Sequence, residues 1–380
     1  MRLRYLAVAA LAACGPARRA AITTATAPPP SATEPRFDSV VAYLRSQVDS
    51  AFPSAVVAVG SGGRIVLLEA VGHYGIDDPR RVTPETVYDL ASLTKVIGLT
   101  TACMMLVTEG KLDLDAPVQR YVPAFQGAAK ERVTIRHLLT HSSGLPAWRP
   151  LYTETTTRAT AMALADTTPL AAEPGRTMVY SDLGAIVLTQ VVEAITGERL
   201  DRFLDRRLFQ PLGMTSTRYL PPPEWRDRIA PTERSQDGTI IRGTVHDENA
   251  WKLGGVSGHA GLFSTAPDLA RFATWLLRAW HTDSLRAREF TRRQGLPSGS
   301  SRALGWDTPS ENSSAGTKLG PNAFGHTGFT GTSIWIDPDR DLFIILLTNR
   351  VHPTRENARI ARVRPRVANL VVDAITRGAP

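Results

Sequence analysis

Apolar residues at Val40, Val41, Leu44 and Val48 recur three and four positions apart, which predicts an amphipathic helix over residues 37–52. Two runs rich in β-branched residues follow, 54–60 and 65–71. The Ser61-Gly62-Gly63-Arg64 between them is turn composition, so the pair reads as an antiparallel hairpin. A second hairpin is expected from 331–337 and 342–348, joined by Pro338-Asp339-Arg340-Asp341. After it, Val367, Leu370, Val371, Ala374 and Ile375 share one face of a last helix, with Pro365 suited to its first turn. The stretch of about 117–219 is mostly helical in pattern, for example 183–196 closing at Gly197. Strands at both ends with helices between them predict an α/β (α+β) fold: an antiparallel sheet flanked by helices, carrying an inserted all-helical domain.

The first 36 residues follow a different pattern. Arg2 and Arg4 precede an apolar run ending in Leu11-Ala12-Ala13-Cys14-Gly15, which reads as a secretory signal too short to span a bilayer. Its end resembles the bacterial lipobox, in which Cys14 is lipidated and becomes the new first residue; a plain cleaved signal is the alternative. Residues 15–36 are rich in Ala, Thr and Pro and suit a spacer. The expected organisation is a signal over 1–14, a linker over 15–36 and one domain over 37–380, exported and tethered to a membrane through Cys14. With Cys14 acylated, Cys103 has no partner in the chain; among Met104, Met105 and Leu106 it reads as core. The net charge of +8 comes from arginines scattered singly or in pairs, with no long basic run, which argues against nucleic acid as a partner.

Candidate chemistry centres on Ser92-Leu93-Thr94-Lys95, followed by an apolar helical run. One helical turn places Ser92 and Lys95 on the same face. A serine hydroxyl becomes a nucleophile when a neighbour takes its proton, and a helix N-terminus offers N–H groups to a developing oxyanion. Alone this spacing is weak, arising by chance roughly once in a chain of average composition. Downstream, Tyr180-Ser181-Asp182 opens a helix after Pro174-Gly175, and His326-Thr327-Gly328 opens the final hairpin.

Those three elements, in this order, resemble the penicillin-recognising serine hydrolases: class C β-lactamases, D,D-carboxypeptidases and related esterases. The stretches 134–145, Pro211-Leu212-Gly213-Met214 and 258–265 are also similar to that family, so the resemblance spans the chain from about residue 37. It implies acyl transfer to water, with Ser92 as nucleophile and Lys95 and Tyr180 sharing the general-base and general-acid work; which takes the first proton stays open. It implies substrate contacts by Asp182, His326, Thr327, Gly328 and Phe329, with the Ser92 and Phe329 N–H groups as the oxyanion hole. No metal or organic cofactor is implied. The partners would be a small-molecule or peptide substrate: a peptidoglycan-related D-amino acid amide, an ester or a β-lactam. Two departures weaken the β-lactamase reading, because the second motif ends in Asp182 where the family usually has Asn, and the third begins with His326 where Lys is frequent. Asp182 should raise the pKa of Lys95 and favour Tyr180 as the base.

Other polar residues carry blander readings. His137 and His141 stand four apart but lack the glutamate of a His-Glu-x-x-His zinc site. His246 and His259 flank Gly254, Gly255 and Gly258 and read as loop-holding. Trp148, Trp306 and Trp335 read as core, and only Trp251, in the Gly-rich region, invites a pocket role. The rivals to a D,D-peptidase are an esterase of the same family without a wall role, and a silent envelope lipoprotein that binds wall peptides.

Overall fold

A computed structural model describes residues 37–378. The predicted signal, lipobox and linker lie outside the described residues. Among the described residues nine strands form two sheets: β1 (Ser54–Ser61), β2 (Arg64–Gly75), β3 (Asp78–Arg81), β4 (Tyr88–Asp89), β5 (Arg218–Tyr219), β6 (Leu262–Ser264), β7 (Phe324–Thr327), β8 (Ser333–Asp337) and β9 (Leu342–Thr348). The large sheet has the order β3-β2-β1-β9-β8-β7 and every pairing in it is antiparallel. Both predicted hairpins are present, and the strand from each end of the chain meets at its centre, Val57 opposite Leu346.

Both faces of this sheet are covered, which is why its central strands read as unbroken apolar runs. Ala55, Val57 and Val59 of β1, with Leu342, Ile344 and Leu346 of β9, pack under α1 (Asp38–Gln47) and the C-terminal helix. Val56, Ala58, Phe343, Ile345 and Leu347 point the other way, into the main core, because side chains alternate across a strand. That core is shared with α2 (Thr101–Thr108) and with the helices between the sheet's two halves: α3 (Ile135–Leu139), α4 (Leu151–Glu154), α5 (Arg158–Thr167), α6 (Asp182–Thr196) and α7 (Leu200–Leu204). Further along lie α8 (Glu248–Lys252), α9 (Ala266–Thr282), α10 (Ala287–Thr291) and α11 (Ile360–Gly378). Cys103 is buried in α2 as a free thiol.

Three expectations are corrected. The first helix stops at Gln47 rather than continuing to 52, since Asp49 takes φ 63° and the chain turns into β1. The last helix starts at Ile360, so Pro365 sits inside it rather than in its first turn and removes the bond an N–H would make to the Ala361 carbonyl. His326 belongs to β7, an edge strand ahead of the hairpin, which makes the C-terminal half a three-stranded meander. A second, three-stranded sheet of order β4-β6-β5 was not foreseen; it ties the segment before Ser92 to the 258–265 stretch, where Leu90 N–H also donates to the Leu262 carbonyl at 2.9 Å.

Candidate active site

Ser92 follows Ala91, whose φ of 46° turns the chain out of β4 and into the helix that carries Lys95. From Lys95 to Thr100 this helix has π-type bonding before it becomes α2, a bulge of the sort often found at functional sites. The turn is pinned by Asp89, fully buried, whose carboxylate accepts from Ala91 N–H (2.8 Å) and His246 N–H (2.7 Å).

Lys95 Nζ donates to Ser92 Oγ (3.1 Å) and to the His259 carbonyl (3.0 Å), and lies 2.7 Å from Asp182 Oδ1. Its ammonium is also 4.9 Å from the centre of the Tyr180 ring. Burial alone would lower the pKa of Lys95; the negative charge of Asp182, with Tyr180 behind it, outweighs burial and holds it above the ordinary lysine value. Asp182 is delivered by the start of α6, where Ser181 caps the helix by accepting from Gly184 N–H (3.1 Å).

Tyr180 is set by three neighbours. The His141 ring lies tilted at 4.6 Å and its Nδ1 accepts from Ser181 N–H (3.1 Å), the His326 ring lies at 5.8 Å, and the Arg302 guanidinium sits 5.3 Å over its face. The Tyr180 hydroxyl is sealed from solvent and completes no hydrogen bond among the described residues. His326 bonds its Nδ1 to the Thr327 carbonyl (2.8 Å) and leaves Nε2 without a partner. Burial, then the positive charges of Arg302 and Lys95, keep His326 well below the ordinary histidine range, so it stands neutral at pH 7. His141 is held neutral in the same way.

These groups face a cavity of about 450 Å³ lined by Ser92, Tyr180, Arg302, His326, Thr327, Gly328, Phe329, Arg350 and Arg364, among others. Six of the eight residues singled out in the sequence line it, and the other two, Lys95 and Asp182, are tied to it through the 3.1 Å and 2.7 Å contacts above. Neither Ser92 N–H nor Phe329 N–H has an acceptor among the described residues. The arginines were missed. Arg302, Arg350 and Arg364 have no carboxylate within ion-pair distance among the described residues, and Arg302 buries Nε and Nη1 without partners. No motif marks any of the three in the sequence.

The remaining candidates separate by role. His137 caps α3 reciprocally with Thr134 while His141 serves Tyr180, so the two do not share a ligand. His259 is fixed between Ser257 Oγ (2.7 Å) and Asp247 (2.8 Å), and His246 between Glu233 (3.0 Å) and the Phe329 ring. Trp306 is core, Trp335 lines the cavity, and Trp148 and Trp251 are exposed.

The residues 36–368 match the family model described as Beta-lactamase, and the chain belongs to that family as a serine hydrolase. A Salmonella typhi protein carried under the provisional name D-alanyl-D-alanine carboxypeptidase is 33% identical over 367 residues, covering 84% of this chain and 83% of its own. Among solved structures, a penicillin-binding protein homologue from Caulobacter crescentus superposes with a TM-score of 0.72 at 21% identity, covering 90% of this chain and 98% of that one. EstCE1, a hydrolase with promiscuous acyltransferase activity, does so with a TM-score of 0.69 at 22% identity, covering 87% and 98%. At such identities these two structures speak to the fold.

Proposed function

We propose that this hydrolase is a D,D-carboxypeptidase-type enzyme of the cell envelope that works through an acyl-enzyme on Ser92. Lys95, kept charged by Asp182, donates to Ser92 Oγ and has no lone pair to offer. The serine proton therefore passes to the oxygen of Tyr180 as phenolate, whose charge Lys95 stabilises, while Ser92 Oγ bonds to the substrate carbonyl carbon. Tyr180 then hands that proton to the departing amine as the C–N bond breaks, takes a proton from the water that attacks the ester, and returns it to Ser92 Oγ as the C–Oγ bond breaks. Ser92 N–H and Phe329 N–H receive the oxyanion.

The observation that carries the peptidase reading is the charge of the cavity. Arg302, whose Nε and Nη1 are buried without partners, faces a site whose histidine is neutral, which suits a substrate ending in a carboxylate. The name of the Salmonella typhi relative supports the same reading. A lipid anchor at Cys14 would hold the enzyme beside peptidoglycan; the apolar run ending in Leu-Ala-Ala-Cys supports it. The second reading, an esterase without a wall role, draws on the likeness to EstCE1. The test is release of D-alanine from an acyl-D-Ala-D-Ala peptide by wild type and Ser92→Ala. Ser92-dependent release supports the peptidase, whereas Ser92-dependent hydrolysis of p-nitrophenyl esters with no D-alanine release supports the esterase.

A further inference from the structure

The segment 328–332 is held from two sides. Towards β4, Thr330 Oγ1 donates to the Asp89 carbonyl (2.7 Å) and Thr332 Oγ1 to the Leu90 carbonyl (2.9 Å), which ties it to the turn that presents Ser92. On the other side are two arginines. Arg364, from α11, donates through Nη2 to the carbonyls of Gly328 (2.6 Å) and Thr332 (2.9 Å). Arg350, just past β9, donates through Nε to the Phe329 carbonyl (2.7 Å), anchors Nη1 on the carbonyls of Arg355 and Asn357, and lies 4.3 Å over the Phe329 ring.

The Gly328 carbonyl and the Phe329 N–H belong to one peptide unit. The unit is trans, so they point in opposite directions, and the guanidinium on the carbonyl side, together with the Gly331 N–H that donates to the same oxygen (3.1 Å), holds where the N–H aims. Charge-assisted bonds of this length are the stronger kind, and polarising the carbonyl also polarises the N–H across the amide. Arg364 is half-buried with its Nε sealed from solvent, and burial followed by the charge of Arg350 pulls its pKa below the ordinary arginine value. A half-buried cation spent on main-chain carbonyls next to a reaction centre calls for a role in that centre.

We propose that Arg364, braced by Arg350, is a positioning residue for catalysis: it aims and polarises the Gly328–Phe329 peptide so that the Phe329 N–H meets the oxyanion formed at Ser92. This rests on the site reading above, in which Phe329 N–H is an oxyanion donor.

The test uses the full chain, purified in detergent, with a neutral p-nitrophenyl ester and an anionic acyl-D-Ala-D-Ala peptide, and with phenylboronic acid as a neutral probe of the tetrahedral adduct. Removing an oxyanion donor outright lowers kcat by about 10²–10³, so misaiming one in Arg364→Gln is expected to lower kcat for the neutral ester by roughly 10- to 100-fold with KM little changed. Phenylboronic acid should weaken by a similar factor. Arg364→Lys, which keeps the charge and one donor and is the more conservative fold, should recover much of the loss. Ser92-dependent ester turnover that is unchanged in Arg364→Gln, with only the peptide KM raised, would make Arg364 a substrate-anion residue and overturn the proposal. A lysine variant that folds yet is no better than glutamine would overturn it as well. Wild-type ester turnover that survives Ser92→Ala would instead overturn the site reading, and this inference with it.

Discussion

Lys95 Nζ and Asp182 Oδ1 are 2.7 Å apart, and in the proposed mechanism this ion pair leaves Tyr180 as the base. A lysine whose pKa is raised stays charged across neutral pH and loses its proton only in alkali, so it governs the alkaline limb of the pH profile. In Asp182→Asn the raising charge is gone and burial is left, so the alkaline limb of kcat/KM should move to lower pH. A profile measured from pH 6 to 11 that does not move contradicts the pairing.

Tyr180→Phe keeps the ring packed on His141 and His326 but removes the oxygen proposed to carry the proton. General acid–base groups contribute about 10²–10⁴-fold, and a loss of that size in acylation rate is expected, with the thermal midpoint little changed. Stopped-flow acylation by a chromogenic cephalosporin measures it.

His326 and His141 are both held neutral by burial, so neither should titrate in the kinetic profile between pH 6 and 8. Long-range ¹H–¹⁵N spectra should show both rings neutral at pH 6. The sign for stability follows: their folded pKa values lie below the unfolded value, the unfolded chain takes up protons first, and stability is lost as the pH falls below about 6.5. Asp166, pushed up to about 6 by burial, works in the opposite direction below that point, so the comparison belongs in an Asp166→Asn background.

Gly328 carries no side chain because there is no room for one. A Cβ there would stand 2.1 Å from Thr332 Oγ1 and 2.4 Å from the Leu90 carbonyl, the atoms that join the 328–332 segment to the Ser92 turn. Gly328→Ala should destabilise by about 1–3 kcal/mol, the usual range for overpacking, and lower acylation by more than that loss of folded protein explains. Denaturant unfolding and acylation rates on one preparation separate the two.

The tether is tested by fractionation. Full-length protein expressed in a bacterial host should pellet with membranes, and Cys14→Ala should release it into the soluble fraction; equal membrane association of both contradicts a lipid at Cys14.

Much of this was legible in the chain. The two hairpins announced themselves because β1, β2, β8 and β9 are long, β-branched and separated by turn residues. Ser92, Lys95 and Tyr180 stood out because each belongs to a short motif that opens a helix, and the motifs follow one another in a set order. The small sheet was illegible: β4 and β5 have two residues each, too few for any periodicity. Arg364 was hidden for a different reason. An arginine on an amphipathic helix reads as solvent-facing, and in this chain, so rich in arginine, nothing local marks the one that turns inward to the carbonyls of Gly328 and Thr332. His141 was noticed only as a zinc candidate, since its partner Ser181 lies forty residues on and the contact exists only in three dimensions.

The central claim is that Ser92 is acylated, and intact mass spectrometry of the protein with a fluorescent penicillin, beside its Ser92→Ala variant, tests it most directly. A mass increase of one opened penicillin is expected on wild type, mapped to the peptide containing Ser92, and none on the variant. Wild type that neither forms the adduct nor consumes the drug, or an adduct that persists in Ser92→Ala, would contradict it.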